Sequence, residues 1–151
     1  MQEMSWGTLA ADAAEIAAFG KARIDGKVSY LATVRRSGNP RIHPVTAIVG
    51  DDRCFIFAEP ASSKIKDLEN NNAFSLHCGM SDSSGSSGEF QLVGRLRRID
   101  DEQLRAEAEK ICSYRPSSNY HLYEMCLSEA IATTYRGGRA VRNKWSCSSS
   151  E

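Results

Sequence analysis

The stretch from Pro40 to Cys78 most strongly constrains what this chain can fold into. Its first part predicts one strand up to Val49, because two sets of residues alternate as a pleated strand requires: Ile42, Pro44, Thr46 and Ile48 against His43, Val45, Ala47 and Val49. A turn cluster, Gly50-Asp51-Asp52, separates it from a second apolar run, Arg53 to Ala58. Two strands joined by so short a turn form a hairpin, and the sequence therefore predicts an antiparallel sheet.

The turn from Glu59 to Lys64 is the candidate site of chemistry. It opens a helix that runs through Glu69. The start of a helix carries free N–H groups and the positive end of the helix dipole, and here two hydroxyls (Ser62, Ser63) and the Lys64 ammonium lie beside it. This combination suits an anion, phosphate above all. A purely structural interpretation, in which a serine caps the helix and Lys64 is a solvated charge, is also open at this point.

The other segments predict a mainly β fold with two or three helices. They are an amphipathic helix at about 8–25, strands at Val28–Val34, Ala73–Cys78 and Glu89–Ile99, a helix from Asp101 to about Cys112 capped by Asp100, strands at Tyr120–Leu127, Ala130–Arg136 and Ala140–Trp145, and a frayed tail at 146–151. Gly94 inside a strand indicates the bend of a closing sheet. We expect one domain over residues 1–151, an antiparallel β-barrel of six to eight strands with flanking helices.

Composition and charge narrow the classes of function. Lys plus Arg equals Asp plus Glu at 19 each, so nothing favours nucleic acid as a partner, and the chain lacks the apolar run of about 20 residues that a membrane span needs. The N-terminal residues do not read as a signal peptide, so we expect a cytoplasmic protein. Five cysteines at wide spacings predict free thiols. Three scattered histidines give no metal site.

Four segments in order resemble the pyridoxamine 5'-phosphate oxidase-like family of FMN-binding split β-barrels: SYLATVRRSGNPRIHPVTAIV, CFIFAEPASSKIKDLENNNAFSLHC, EFQLVGRLRRID and YRGGRAVRNKW. The resemblance covers roughly residues 28 to 145. It implies a homodimer that holds FMN between its subunits, with the phosphate at Ser62, Ser63 and Lys64. The remaining cofactor-binding residues that it implies are Arg41, His43, Pro44, Val45, Thr46, Phe57 and Ala58, together with Gln91 and Trp145 contributed by the second subunit.

The same resemblance implies an FMN-dependent oxidoreductase acting on a small organic substrate. Where the oxidase proper carries an Arg-Lys pair, this chain has Ser63-Lys64, so we do not expect oxidation of vitamin B6. A deazaflavin in place of FMN is one alternative. Another is a non-catalytic binder of flavin or haem, with an axial ligand among the three histidines. No catalytic residue is assigned; His43 and Tyr30 are candidates only if they face the ring.

Overall fold

A computed structural model describes residues 3–85 and 87–147. They form four helices: α1 Trp6–Asp12, α2 Ala14–Ile24, α3 Ser63–Asn70 and α4 Glu102–Ile111. They also form eight strands: β1 Val28–Val34, β2 Pro40–Thr46, β3 Ile48–Val49, β4 Cys54–Ala58, β5 Ala73–Cys78, β6 Glu89–Ile99, β7 His121–Arg136 and β8 Arg139–Ser146.

All eight strands belong to one antiparallel sheet in the order β2-β1-β5-β6-β7-β4-β3, with β8 paired to β7. The predicted fold class, mainly β and antiparallel with six to eight strands, is confirmed. The described residues contain four helices rather than two or three. The extra helix arises at the N-terminus, where the sequence predicted a single one.

The N-terminal helix breaks at Ala13, whose backbone is not helical, at φ −144° and ψ 67°. Ser5 caps α1 by accepting a hydrogen bond from the Thr8 N–H at 3.2 Å. The break lets α1 bury Trp6 and α2 bury Ile24 in the same core. An alanine-rich sequence favours helix on both sides of the break, so local propensity gives no sign of it.

Two other predicted boundaries, the end of β2 and the start of α4, were wrong. The strand expected up to Val49 stops at Thr46, and the buried Ala47 makes a parallel bridge with Asp25 before β3 begins. The helix cap is Asp101 rather than Asp100, because Asp101 Oδ1 accepts hydrogen bonds from two first-turn N–H groups.

The C-terminal part of the sheet is longer than the sequence predicted. β7 is one strand of 16 residues where two were expected. β8 includes Ser146, and the Cys147 N–H then donates to the Ser128 carbonyl at 3.0 Å, so the predicted frayed tail does not begin at 146. The rest of that tail, 148–151, lies outside the described residues.

Gly94 lies at a bulge, as the sequence predicted. The register of β6 against β7 shifts between Val93 and Gly94. A Cβ atom at Gly94 would lie 1.9 Å from the Cys126 carbonyl oxygen, so only glycine allows the strands to approach this closely. The bulge bends the two longest strands of the sheet.

The sheet packs on both faces, and β4 shows how. Cys54, Ile56 and Ala58 point into the main core, whereas Phe55 and Phe57 belong to a second cluster covered by α4.

All five cysteines fall within the described residues and none forms a disulfide bond, as expected. None of the helices formed by the described residues has the length and hydropathy of a membrane span.

Candidate functional site

The Ser62 side chain at the start of α3 contacts Lys64 and does not cap the helix. Ser62 is the N-cap residue by position, with an extended backbone, but its side chain makes no capping hydrogen bond. Its Oγ instead accepts a hydrogen bond from Lys64 Nζ at 3.2 Å. The purely structural interpretation of Ser62 as a side-chain cap is therefore wrong. One hydroxyl and one ammonium are held together beside the positive end of the helix.

Asp67, one turn into α3, anchors the neighbouring strands. Its side chain is 5% exposed, and its Oδ2 accepts hydrogen bonds from Arg41 Nε and from Thr33 Oγ1, both at 2.8 Å. Thr33 Oγ1 also lies 3.3 Å from His43 Nε2. Burial alone would raise the pKa of the Asp67 carboxyl, but these two hydrogen bonds and the nearby positive charge lower it below its usual value. Asp67 is therefore a carboxylate that orients Arg41.

The corner between β2 and α3 has an excess of positive charge. Burial lowers the pKa of His43, and the charges of Lys64, Arg41 and Arg35 lower it further, against the opposing effect of Asp67. Burial also lowers the pKa of Lys64. Lys64 takes part in none of the ion pairs formed by residues 3–85 and 87–147. An anion that entered this corner would be bound favourably by these groups.

A cavity of about 290 Å³ opens beside Lys64. Its walls come from β1, β2, the end of β4 and the segment after α4: Val28, Pro44, Val45, Thr46, Phe57, Ala58, Glu59, Lys64, Tyr114 and Tyr120. Lys64 gives the cavity one cationic group, Glu59 adds a carboxylate whose charge interacts with that of Lys64, and most of the other lining residues are apolar or aromatic. This arrangement suits a ligand with a negatively charged end and a flat apolar end.

The segment after α4 is fixed against the cavity by Arg105. The guanidinium donates to the Tyr120 carbonyl at 2.6 Å and to the Ser117 carbonyl at 3.2 Å, and it lies 5.2 Å from the Phe57 ring centroid. Burial, with smaller effects from Cys112 and Tyr120, raises the pKa of Tyr114 to about 12. Tyr114 lines the cavity, and its hydroxyl interacts with the Cys112 side chain.

Comparison with known proteins gives the family. A sequence profile described as "Pyridoxamine 5'-phosphate oxidase" matches residues 14–132, which include α3, its turn and every strand up to most of β7. The chain belongs to the pyridoxamine 5'-phosphate oxidase family. No curated protein matches the sequence.

Solved structures with the fold of this pyridoxamine 5'-phosphate oxidase family member include three bacterial proteins. A haem-binding protein from Mycobacterium smegmatis is 19% identical with a TM-score of 0.63 over 83% of this chain, which spans 57% of that protein's length. HupZ from Group A Streptococcus is 16% identical, with a TM-score of 0.62 over 74% of this chain and 89% of its own. General stress protein 26 from Bacillus anthracis is 19% identical, with a TM-score of 0.60 over 83% of this chain and 97% of its own.

Most of the predicted site residues of this family member lie together. Six line the cavity: Pro44, Val45, Thr46, Phe57, Ala58 and Lys64. Ser62 and Ser63 lie at the start of α3, and Arg41 and His43 are linked to the same helix through Asp67 and Thr33. These ten residues form one corner of the molecule.

Gln91 and Trp145 lie elsewhere in the protomer. Gln91 is on β6 and donates to Ser75 Oγ at 2.9 Å. Trp145 is buried on β8, and its Nε1 donates to Asp12 Oδ2 at 3.2 Å. Their expected place was the second subunit's side of the site, and that stays a prediction.

Several residues of the corner escaped the sequence reasoning. Tyr114 and Tyr120 reach the cavity through the placement of α4, for which the local sequence gives no sign. Asp67 left no signal in the sequence, because residues one and two positions apart lie on different sides of a helix, so an acid next to Leu68 and two positions after Ile65 looks like an ordinary exposed residue.

Proposed function

We propose that this protein is an FMN-binding flavoprotein that oxidises or reduces a small organic substrate. The observation that carries the proposal is the cavity in which Lys64, beside Glu59 and the start of α3, adjoins walls of mainly apolar and aromatic side chains. Family membership supports the choice of FMN among ligands of this shape. When bound, FMN supplies the electron-transfer chemistry, and the protein supplies binding, orientation and exclusion of water.

The donor groups of the corner fit a phosphate. Lys64 Nζ, the Ser62 and Ser63 hydroxyls and the first-turn N–H groups of α3 would hold it. Arg41 adds a second positive charge, and because only its Nε is engaged by Asp67, its two terminal nitrogens are available to a bidentate acceptor. Lys64 lines the cavity, and Arg41 is held to the same helix by its hydrogen bond to Asp67.

The apolar walls fit a flat ring and its linker. Phe57, Val45 and Pro44 give apolar contact surface, and Tyr114 adds an aromatic side chain. A volume of about 290 Å³ is at the lower limit of small-molecule sites, which hold roughly 300–1,000 Å³. We infer that another wall completes the site.

A second copy of the chain is the proposed source of that wall. An exposed apolar patch lies on β1 and β2, with Val28 54%, Tyr30 45% and Ile42 69% exposed and Pro44 paired to Tyr30 across the strands. Exposed apolar patches of this kind commonly mark protein interfaces. Val28 and Pro44 also line the cavity, so a copy seated on the patch would close it.

Flavin fluorescence quenching tests the proposal with a matched pair of variants. Lys64→Ala removes the ammonium beside Ser62, whereas Lys66→Ala removes an exposed ammonium from the same helix. Losing a charge-assisted contact costs about 1.5–3 kcal/mol, so we expect Lys64→Ala to weaken FMN binding by about 12- to 160-fold and Lys66→Ala to leave it nearly unchanged. Riboflavin, which lacks the phosphate, should bind both variants and the parent protein equally weakly.

Two results would refute the phosphate assignment: no quenching with the parent protein, or equal losses in the two variants. The same titration with a deazaflavin distinguishes the cofactor. Reduction of the bound flavin by a nicotinamide nucleotide, followed by reoxidation on adding candidate substrates, tests the enzymatic part separately.

Haem is the second candidate ligand, because one protein with this fold binds haem. His77 is fully engaged, with Nδ1 at 2.7 Å from the Cys78 carbonyl and Nε2 at 3.1 Å from Glu89. His121 Nδ1 also has no hydrogen-bond partner among the described residues, but that atom is buried. His43 is only partly buried and makes its recorded ring contact through Nε2, which makes His43 the better axial ligand. A Soret band that appears with haem and is lost in His43→Phe would favour this candidate over FMN.

A further inference from the structure

A chain of three side chains connects α3 to His43. Asp67 Oδ2 accepts the Thr33 hydroxyl proton at 2.8 Å, and Thr33 Oγ1 lies 3.3 Å from His43 Nε2. Thr33 is 1% exposed and Asp67 5%, so water has little access to these two members. These three side chains lead from the protein interior to the imidazole ring of His43, which is only partly buried.

The proton positions in this chain follow from the groups themselves. An ionised carboxylate only accepts hydrogen bonds, so the single hydroxyl proton of Thr33 goes to Asp67. The Thr33 oxygen can then only accept from His43, which requires a proton on Nε2. A neutral imidazole that carries its proton on Nε2 has a lone pair on Nδ1.

The charges around His43 keep the ring neutral. Arg35 from the segment after β1, Arg41 from β2 and Lys64 from α3 all oppose a further positive charge, and burial acts in the same direction. Asp67 is the one group that opposes them, and Arg41 already pairs with it. These effects lower the pKa of His43, so Nδ1 is unprotonated near neutral pH.

We propose that the Asp67–Thr33–His43 chain fixes His43 as the Nε2–H tautomer, so that Nδ1 accepts a hydrogen bond from a hydroxyl of the ligand's sugar-alcohol chain. The inference rests on the proposed function for the identity of the ligand. Arg41 and His43 are two residues apart on the same face of β2, so the group recognised by Nδ1 lies next to the bound phosphate. In FMN that neighbour is the ribityl chain. Thr33 and Asp67 are positioning residues.

Nitrogen-15 NMR of the histidine rings tests the tautomer without any ligand. The signals that disappear in His43→Phe belong to His43. At about pH 7 we expect them to show a protonated Nε2 and an unprotonated Nδ1. Thr33→Ser keeps the hydroxyl and should preserve this pattern, whereas Thr33→Val, close in shape, should give a mixture of tautomers.

A protonated Nδ1 in the parent protein, or the same pattern in Thr33→Val as in the parent, overturns the proposed chain. The parent spectrum decides the tautomer even if Thr33→Val does not fold. This result does not depend on flavin binding, so it separates a failure of the chain from a failure of the proposed function.

The hydroxyl contact is tested with FMN and an analogue whose ribityl hydroxyls are replaced by hydrogens. The parent protein should bind FMN about 3- to 10-fold more tightly than the analogue, the effect of one neutral hydrogen bond. His43→Phe should lose this preference, and His43→Asn, whose amide oxygen can also accept, should regain part of it. An equal preference in His43→Phe and the parent, or no binding of FMN at all, overturns the assignment of the ligand hydroxyl.

Discussion

Replacing Asp67 by asparagine should lower the free energy of unfolding by about 2 kcal/mol at neutral pH. Asp67 receives one charge-assisted hydrogen bond from Arg41 and a second hydrogen bond to its charged carboxylate from Thr33, both at 2.8 Å. Hydrogen bonds to a charged group contribute about 1.5–3 kcal/mol and neutral ones about 0.5–1.5 kcal/mol, so each bond loses roughly 1 kcal/mol in the amide. In a chain of this size, 2 kcal/mol corresponds to a fall in Tm of about 4–8 °C.

The loss of unfolding free energy caused by Asp67→Asn should become smaller at acidic pH. The pKa of Asp67 is lower in the folded protein than in the unfolded chain, where it is about 3.9. The stabilisation is therefore present above about pH 3.9 and is lost as the pH falls through the lower, folded value. The difference between the parent protein and Asp67→Asn should shrink below about pH 3.9.

Urea denaturation followed by circular dichroism, at neutral and acidic pH, measures this difference. Asp100→Asn is the matched control, since the Asp100 side chain is 85% exposed and pairs only loosely with Arg98, at 3.5 Å; we expect a change within about 0.5 kcal/mol. A loss below 0.5 kcal/mol for Asp67→Asn, or one that stays constant down to acidic pH, would refute the assignment of Asp67 as a buried carboxylate anchor.

Three further outcomes are expected. Gly94→Ala should destabilise the protein by about 3 kcal/mol or more in urea denaturation, because its Cβ would overlap the Cys126 carbonyl. Gly50→Ala is the control and should be mild, because its Cβ would meet the flexible end of the Ile111 side chain. Similar losses of stability in the two variants would contradict the bulge. Arg105→Ala should speed chymotryptic cleavage after Tyr114, since the bonds to the Tyr120 and Ser117 carbonyls are lost, and unchanged cleavage would count against that role. Burial raises the pKa of Cys54, so thiol reagents should modify Cys112 before Cys54 in the native protein, and early labelling of Cys54 would be the contrary result.

The sequence was most informative where two physical signals agree. Ala73–Cys78 and Glu89–Ile99 were predicted to the residue, because alternating burial and flanking turn residues mark both strands. The position of the bulge was predictable as well, since a glycine inside a strand has few other uses. Such features depend on neighbouring residues in the chain.

The features that the sequence did not predict depend on contacts between residues that are distant in the chain. The break at Ala13 arises because α1 and α2 must both bury side chains in one core, and the end of β2 arises from the bridge between Ala47 and Asp25. No local pattern contains either constraint. β7 was predicted as two strands with a gap at Ser128 and Glu129, yet Ser128 Oγ donates to the Val93 carbonyl at 3.1 Å and the strand continues.

The candidate site was predictable in part for the same reason. Lys64 and the serines are adjacent in sequence and combine with a helix start, so their chemistry can be read locally. The hydrogen bonds from Arg41 and Thr33 to Asp67 span 26 and 34 residues. Their pairing depends on how α3 packs across β1 and β2, which only the fold reveals.

Sedimentation of the protein mixed with FMN, followed at the flavin absorbance, is the decisive test of a cofactor held between two copies of the chain. Flavin is expected to sediment with a species of twice 16.6 kDa, because we propose that a second chain completes the cavity beside Lys64. Flavin that does not sediment with the protein, or that sediments with a single chain, would contradict it.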